Sequence, residues 1–208
     1  MIKTRKTRRH YRDLIVYTLS AAGSRGHVRL GNQRVPGAVG RSGQTAFKRE
    51  GDGASPVGRW RIESVFYRAD RGPRPQSAFP VRAVRRDDGW CDAPLDRNYN
   101  RLVRRPYDAS HEVLWRDDGL YDIVVVLSHN RRPRVRACGS AIFLHVASGD
   151  LSPTEGCLAV RSGDLRRLLA SLRPGSAVVF AGGPAGQPQR RRRQSVGAGS
   201  RFSSARAR

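Results

Sequence analysis

Apolar residues in this chain fall into short runs rather than long amphipathic stretches. Leu14-Ile15-Val16-Tyr17-Thr18-Leu19 has the length and β-branched content of a strand. Ala22-Gly23 through Gly26 makes a turn, with His27-Val28-Arg29-Leu30 as the hairpin partner. Gly31-Asn32 turns the chain again into Val35–Val39, where Pro36, having no N–H to donate, predicts an edge position. Trp60 to Tyr67 alternates in the manner of a half-buried strand. Between Asp122 and Ser128, the unbroken run Ile123-Val124-Val125-Val126-Leu127 is the strongest buried-strand signal. Ser140–His145, Cys157–Val160 and a closing Ser176–Phe180 complete the set.

Only one segment has helical spacing. Leu165, Leu168, Leu169 and Leu172 recur at i, i+3, i+4 and i+7, with Ser162 placed as N-cap and Asp164 in the first turn. Pro174-Gly175 ends it, so one packed helix is predicted over about 162–173. Residues 40–59 form a glycine-rich polar stretch, a long ordered loop or a binding loop. Residues 68–120 lack sustained periodicity and read as long loops with short helical turns, a length that in a compact domain points to function. The expected fold is mostly β, with one packed helix and long loops.

Composition then divides the chain. Residues 1–13 carry six Lys/Arg against one Asp, a basic lead-in. Residues 14–181 hold the apolar runs. Residues 182–208 are Gly, Pro, Gln, Arg and Ser, including Arg190-Arg191-Arg192-Arg193, and cannot bury enough surface to order themselves. The formal charge is +23; removing the +5 of the lead-in and the +7 of the tail still leaves +11 on the body. Such a field attracts polyanions: nucleic acid, anionic membranes or an acidic wall polymer. The start MIKTRKTRRHYRD-LIVYTLSAAG has the outline of a signal peptide, but its apolar part is short and interrupted by Tyr and Thr. It is read as lead-in plus first strand.

Three widely spaced Cys make no disulfide scaffold, and no CxxC or HxxxH pair suggests a metal site. The Lys48–Gly58 loop lacks the GxxxxGK[ST] order of a phosphate cradle, so no cofactor is expected. The chemistry-bearing stretch is GSAIFLHVASGDLSPTEGCLAV. His145 ends one buried run and Cys157 opens another twelve residues later, which sets an imidazole and a thiol near each other at a sheet edge. An unassisted thiol titrates near ~8.5, and a His⁺ neighbour with a basic surround is expected to favour thiolate. Thr154 and Glu155 adjoin the pair as groove candidates; His129-Asn130 is either groove wall or simple turn.

Rival readings use the same residue types. A lone buried Cys is usually packing, the reading given to Cys91 beside Trp90. Cys138 and His129 flank the Arg-rich RRPRVRA turn. A zinc site from His129, Cys138, His145 and Cys157 would lack tight ligand spacing.

Several motifs then occur in one order: Gly40-Arg41, Lys48 to Gly58 (KREGDGASPVG), Asp87 to Asp92 (DDGWCD), Tyr99-Asn100, Glu112 with Leu114-Trp115-Arg116, Leu120-Tyr121-Asp122, and His145 with Thr154-Glu155-Gly156-Cys157. In this order, over roughly residues 14–180, the chain resembles the L,D-transpeptidase catalytic domain (YkuD-like) family. The resemblance implies a β-sandwich with the nucleophile in a groove. It also implies cleavage of peptidoglycan stem peptides through a thioester on Cys, passed on to an amine or water. Cys157 is then the nucleophile and His145 the base, the imidazole commonly oriented by a backbone carbonyl. Gly156 keeps the backbone open, and N–H groups around Gly156 and Cys157 are oxyanion candidates. Many members have Arg two residues after the Cys; here Ala159 stands there, and Arg161 is the substitute to test. A monomer working in the periplasm or wall follows, with the Arg-rich tail holding anionic wall polymer or membrane and no specific nucleic acid. The second reading is a non-catalytic basic polyanion-binding module on a degenerate fold of this type, indifferent to Cys157 substitution.

Overall fold

The computed structural model describes residues 13–20 and 22–183; the basic lead-in up to residue 12 and the tail from 184 onward lie outside the described residues. Fourteen strands and one helix follow in order: β1 (Leu14–Thr18), β2 (Arg25–Leu30), β3 (Gln33–Ala38), β4 (Gln44–Thr45), β5 (Ser55–Pro56), β6 (Gly58–Tyr67), β7 (Val81–Ala83), β8 (Asp88–Cys91), β9 (Arg101–Arg104), β10 (His111–Val113), β11 (Ile123–Leu127), β12 (Phe143–Val146), β13 (Leu158–Val160), α1 (Ser162–Ser171) and β14 (Ala177–Phe180). The main sheet runs β11-β12-β13-β3-β2-β1-β14-β6-β7, and β11 also pairs with β6. That last pairing closes the sheet on itself. The expected sandwich is therefore corrected to a closed barrel, with β7 added outside the ring.

Closure depends on one long strand. β6 pairs with β14 through Gly58–Arg61 and with β11 through Ile62–Tyr67, so its two halves join opposite ends of the sheet. Side chains alternate across a strand, and this sorts the core in two. Leu14, Val16, Val28, Leu30, Ile123, Val125, Leu127, Leu144, Leu158 and Val160 pack with Leu165, Leu168, Leu169 and Leu172 of α1 in one cluster. Val124, Val126, Phe143 and Cys157 take the opposite face, against Phe66, Trp90, Leu114 and Tyr121. The thiol thus lies on the side away from the helix.

Three expectations change in detail. Pro36 does not sit on an edge strand, because β3 lies between β2 and β13. It stands opposite His27 of β2 but is unpaired on its β13 side, since β13 reaches only Gly37 and Ala38. The missing N–H is tolerated for that reason. Residues 68–120 are not simply loops and turns: β8, β9 and β10 make a three-stranded sheet, and β7 extends the main one. Strands of three or four residues are too short to show a period, and their partners are distant in sequence. Finally, the helix N-cap is Arg161, with no side-chain cap, and Ser162 is already helical.

Candidate active site

The register of the sheet places the pair. β12 and β13 run parallel with Leu144 opposite Leu158 and His145 opposite Ala159. Leu144 and Leu158 turn into the barrel core, so His145, Cys157 and Ala159 share the other face. Strands ~4.8 Å apart with a ~3.3 Å rise put the His145 and Cys157 Cα atoms roughly 8 Å apart. Both line a cleft of about 470 Å³. Cys157 keeps 9% of its surface and His145 6%, so the pair is deep but not sealed.

Each group is held by backbone. The Cys157 S–H donates to the Ala141 carbonyl at 3.1 Å, and Sγ accepts the Phe143 N–H at 3.3 Å. His145 Nδ1 lies 2.8 Å from the Val146 carbonyl. A carbonyl only accepts, so Nδ1 carries the proton and Nε2 is left as the free base. The edge of the Tyr121 ring meets the imidazole, with centroids 5.3 Å apart. The Tyr121 hydroxyl donates to Glu112 at 3.1 Å, Arg116 pairs with the same oxygen at 3.2 Å, and its guanidinium lies over the Tyr121 ring. This Tyr121–Glu112–Arg116 clamp fixes the ring that backs His145.

The turn before the thiol is held from a distance. Gly156 has φ +134, and a Cβ there would come within 2.9 Å of the Ala54 carbonyl, so only glycine fits. Ser55, fully buried, donates its hydroxyl to the Gly156 carbonyl at 2.8 Å and accepts the Gly40 N–H at 2.9 Å. Thr154 donates to the Cys157 carbonyl at 2.7 Å and accepts the Gly156 N–H at 3.2 Å. The Gly156 N–H is thus occupied, while the Cys157 N–H has no partner among the described residues. Ser55→Ala leaves two buried backbone groups unpaired. It is expected to lower unfolding free energy by about 1–3 kcal/mol in a denaturant titration.

Burial, not charge, sets the resting protonation. It pushes the Cys157 thiol up to about 12 and drops the His145 imidazole to about 4. The expected thiolate is therefore corrected to a neutral thiol beside a neutral imidazole. The basic surround is also outnumbered locally. Glu50, Asp92, Glu112 and Glu155 line the cleft against Arg116 alone among the Arg and Lys of the described residues. The Phe143 N–H draws the thiol down, Glu112 pushes it up and Lys48 draws it down, all less than burial raises it. Linkage gives a sign. An unfolded imidazole binds protons below its ordinary 6.5, so stability is lost as pH falls from 6.5 through about 4. An unfolded thiol ionises above 9.0, so stability is also lost as pH rises from 9.0 through about 12. Denaturant midpoints should be flat between those limits, and about 3 kcal/mol should disappear on the acid side for His145.

Thr154 and Glu155 line the cleft, and Glu155 pairs outward with Arg41 at 3.0 Å. His129, Asn130 and Arg161 do not line it. His129 follows β11 away from the thiol, buried against Trp60 with Nε2 2.9 Å from the Cys138 carbonyl. Asn130 pins its own loop, donating to Val135 and Gly139 carbonyls at 2.8 and 2.9 Å. Arg161 leaves β13 at the helix cap, so Ala159 has no Arg substitute from that position. Cys91 is fully buried in β8. Sequence reasoning missed Ser55 as a support of the thiol turn and the clamp of Tyr121, Glu112 and Arg116. The latter three appeared in the motif series without a role.

The sequence model of the L,D-transpeptidase catalytic domain (YkuD) matches residues 19–180, most of the chain and all of this cleft. The chain belongs to the L,D-transpeptidase family. No curated protein and no solved structure gives a match.

Proposed function

We propose that the chain is a cysteine acyltransferase that works on peptidoglycan stem peptides. The observation that carries this reading is the meeting in one cleft of Cys157 and a His145 whose Nε2 is left basic by the Val146 carbonyl. Charging either group alone in that burial is costly. Charging both together gains their mutual attraction in a low dielectric. The proton therefore leaves sulfur only as the substrate carbonyl is attacked. Sγ bonds to the carbonyl carbon, the thiol proton passes to Nε2, and the Cys157 N–H takes the developing oxyanion. Collapse breaks the C–N bond, and Nε2 returns the proton to the leaving amine. The thioester is then attacked by a second amine, giving transfer, or by water, giving hydrolysis.

That substrate lies outside the cytoplasmic membrane, so the domain works in the periplasm or wall. Among the described residues no helix is long and apolar enough to cross a membrane. The test is a stem tetrapeptide incubated with the full chain and an amine acceptor, with products read by liquid chromatography and mass spectrometry. Exchange of the terminal residue for the acceptor is expected. A tetrapeptide recovered unchanged, with binding indifferent to Cys157, would favour the non-catalytic polyanion module instead.

A further inference from the structure

Residues 131–136 read Arg-Arg-Pro-Arg-Val-Arg. Arg131 turns inward, pairing with Glu63 at 3.0 Å and lying over the Trp90 ring at 4.8 Å. Arg132 and Arg136 are exposed and Arg134 half-buried, and none has a carboxylate partner among the described residues. The loop is not loose. Asn130, at φ 49, closes its base through the two carbonyl bonds above, and the Val135 N–H donates back to Asn130 Oδ1 at 2.7 Å. Val135, 51% exposed, is therefore an apolar side chain held outward on fixed backbone. Arg134 reaches the Tyr99 carbonyl at 3.5 Å, laying the loop beside the start of β9, where Arg101 and Leu102 are exposed too.

The result is a basic surface whose Arg132, Arg134 and Arg136 make no ion pair among the described residues, and which also carries two outward apolar side chains, Val135 and Leu102. A soluble polyanion needs only the charges. A bilayer with anionic headgroups uses both features, since guanidinium groups sit at the phosphates while apolar groups enter the acyl boundary. We propose that this surface, centred on Arg132, Val135 and Arg136, docks the domain onto an anionic lipid bilayer. The same loop runs on into Ser140, Ala141 and Ile142 of the cleft wall, so docking holds the cleft at the membrane surface. Because this surface lies outside the catalytic pair, its behaviour is independent of the proposed chemistry.

The basic ends of the chain carry the same charge sign, so the test separates them. Full-chain protein is co-sedimented with phosphatidylcholine vesicles with and without phosphatidylglycerol at one ionic strength, and polyphosphate serves as a soluble polyanion probe. Two variants, Arg132→Gln/Arg134→Gln/Arg136→Gln and Val135→Ser, change exposed positions and the half-buried Arg134, and circular dichroism checks that they fold. The triple variant should lose at least about tenfold in partition onto anionic vesicles. Val135→Ser should lose about threefold on vesicles and nothing on polyphosphate. Wild-type protein that ignores anionic vesicles, or a triple variant that binds them unchanged, overturns the proposal. So does a Val135→Ser variant that binds vesicles unchanged while the triple variant loses both probes equally, which would mark a soluble-polyanion site.

Discussion

Cys157→Ala is expected to reduce acyl transfer by about 10³-fold or more while leaving the fold intact, a loss on the scale of removing a covalent nucleophile. The substitution is mild structurally. It trims one sulfur that makes two modest hydrogen bonds, to the Ala141 carbonyl and from the Phe143 N–H. Phe143, Tyr121 and Trp90 still fill the surrounding cluster. A matching denaturation midpoint together with absent product would therefore separate chemistry from folding. Residual turnover within tenfold of the parent would mean that another group attacks, and Cys91, shut inside β8, is not placed to do so.

The second large effect concerns the resting thiol. With Cys157 pushed up to about 12, only about one molecule in ten thousand carries thiolate at pH 8, against roughly a quarter for an ordinary thiol. Alkylation by iodoacetamide should accordingly be about 10³-fold slower at Cys157 than at a free thiol. Cys138, half-exposed in the same molecule, provides the internal comparison. Peptide mapping over time should show Cys138 labelled well before Cys157. Fast labelling of Cys157 at neutral pH would instead indicate a preformed thiolate–imidazolium pair, contrary to the burial argument.

Much of this architecture could be read from residue order because the strongest signals were local. Ile123-Val124-Val125-Val126-Leu127 and the leucines of α1 announce burial within a few residues, and His145 and Cys157 each flank an apolar run. What escaped reading depends on contacts between distant segments. Ser55 supports a carbonyl 101 positions away. β6 closes the barrel only by splitting its ten residues between two partners. The short strands β8 to β10 exist through pairing with one another rather than through any periodic pattern. Charge was misleading in the opposite direction. A chain of +23 suggests a basic catalytic cleft, yet four of its five charged lining residues are carboxylates, because net charge describes a surface and not a pocket. The thiol's protonation follows from depth, which composition does not encode.

The most direct measurement is the intact mass of the full chain after incubation with a carbapenem, followed by peptide mapping. A single adduct on Cys157, absent from Cys157→Ala and markedly slowed in His145→Gln, is the predicted result. An unmodified protein after prolonged incubation, or an adduct carried on Cys138 alone, would contradict the assignment of the thiol at 157 as the nucleophile.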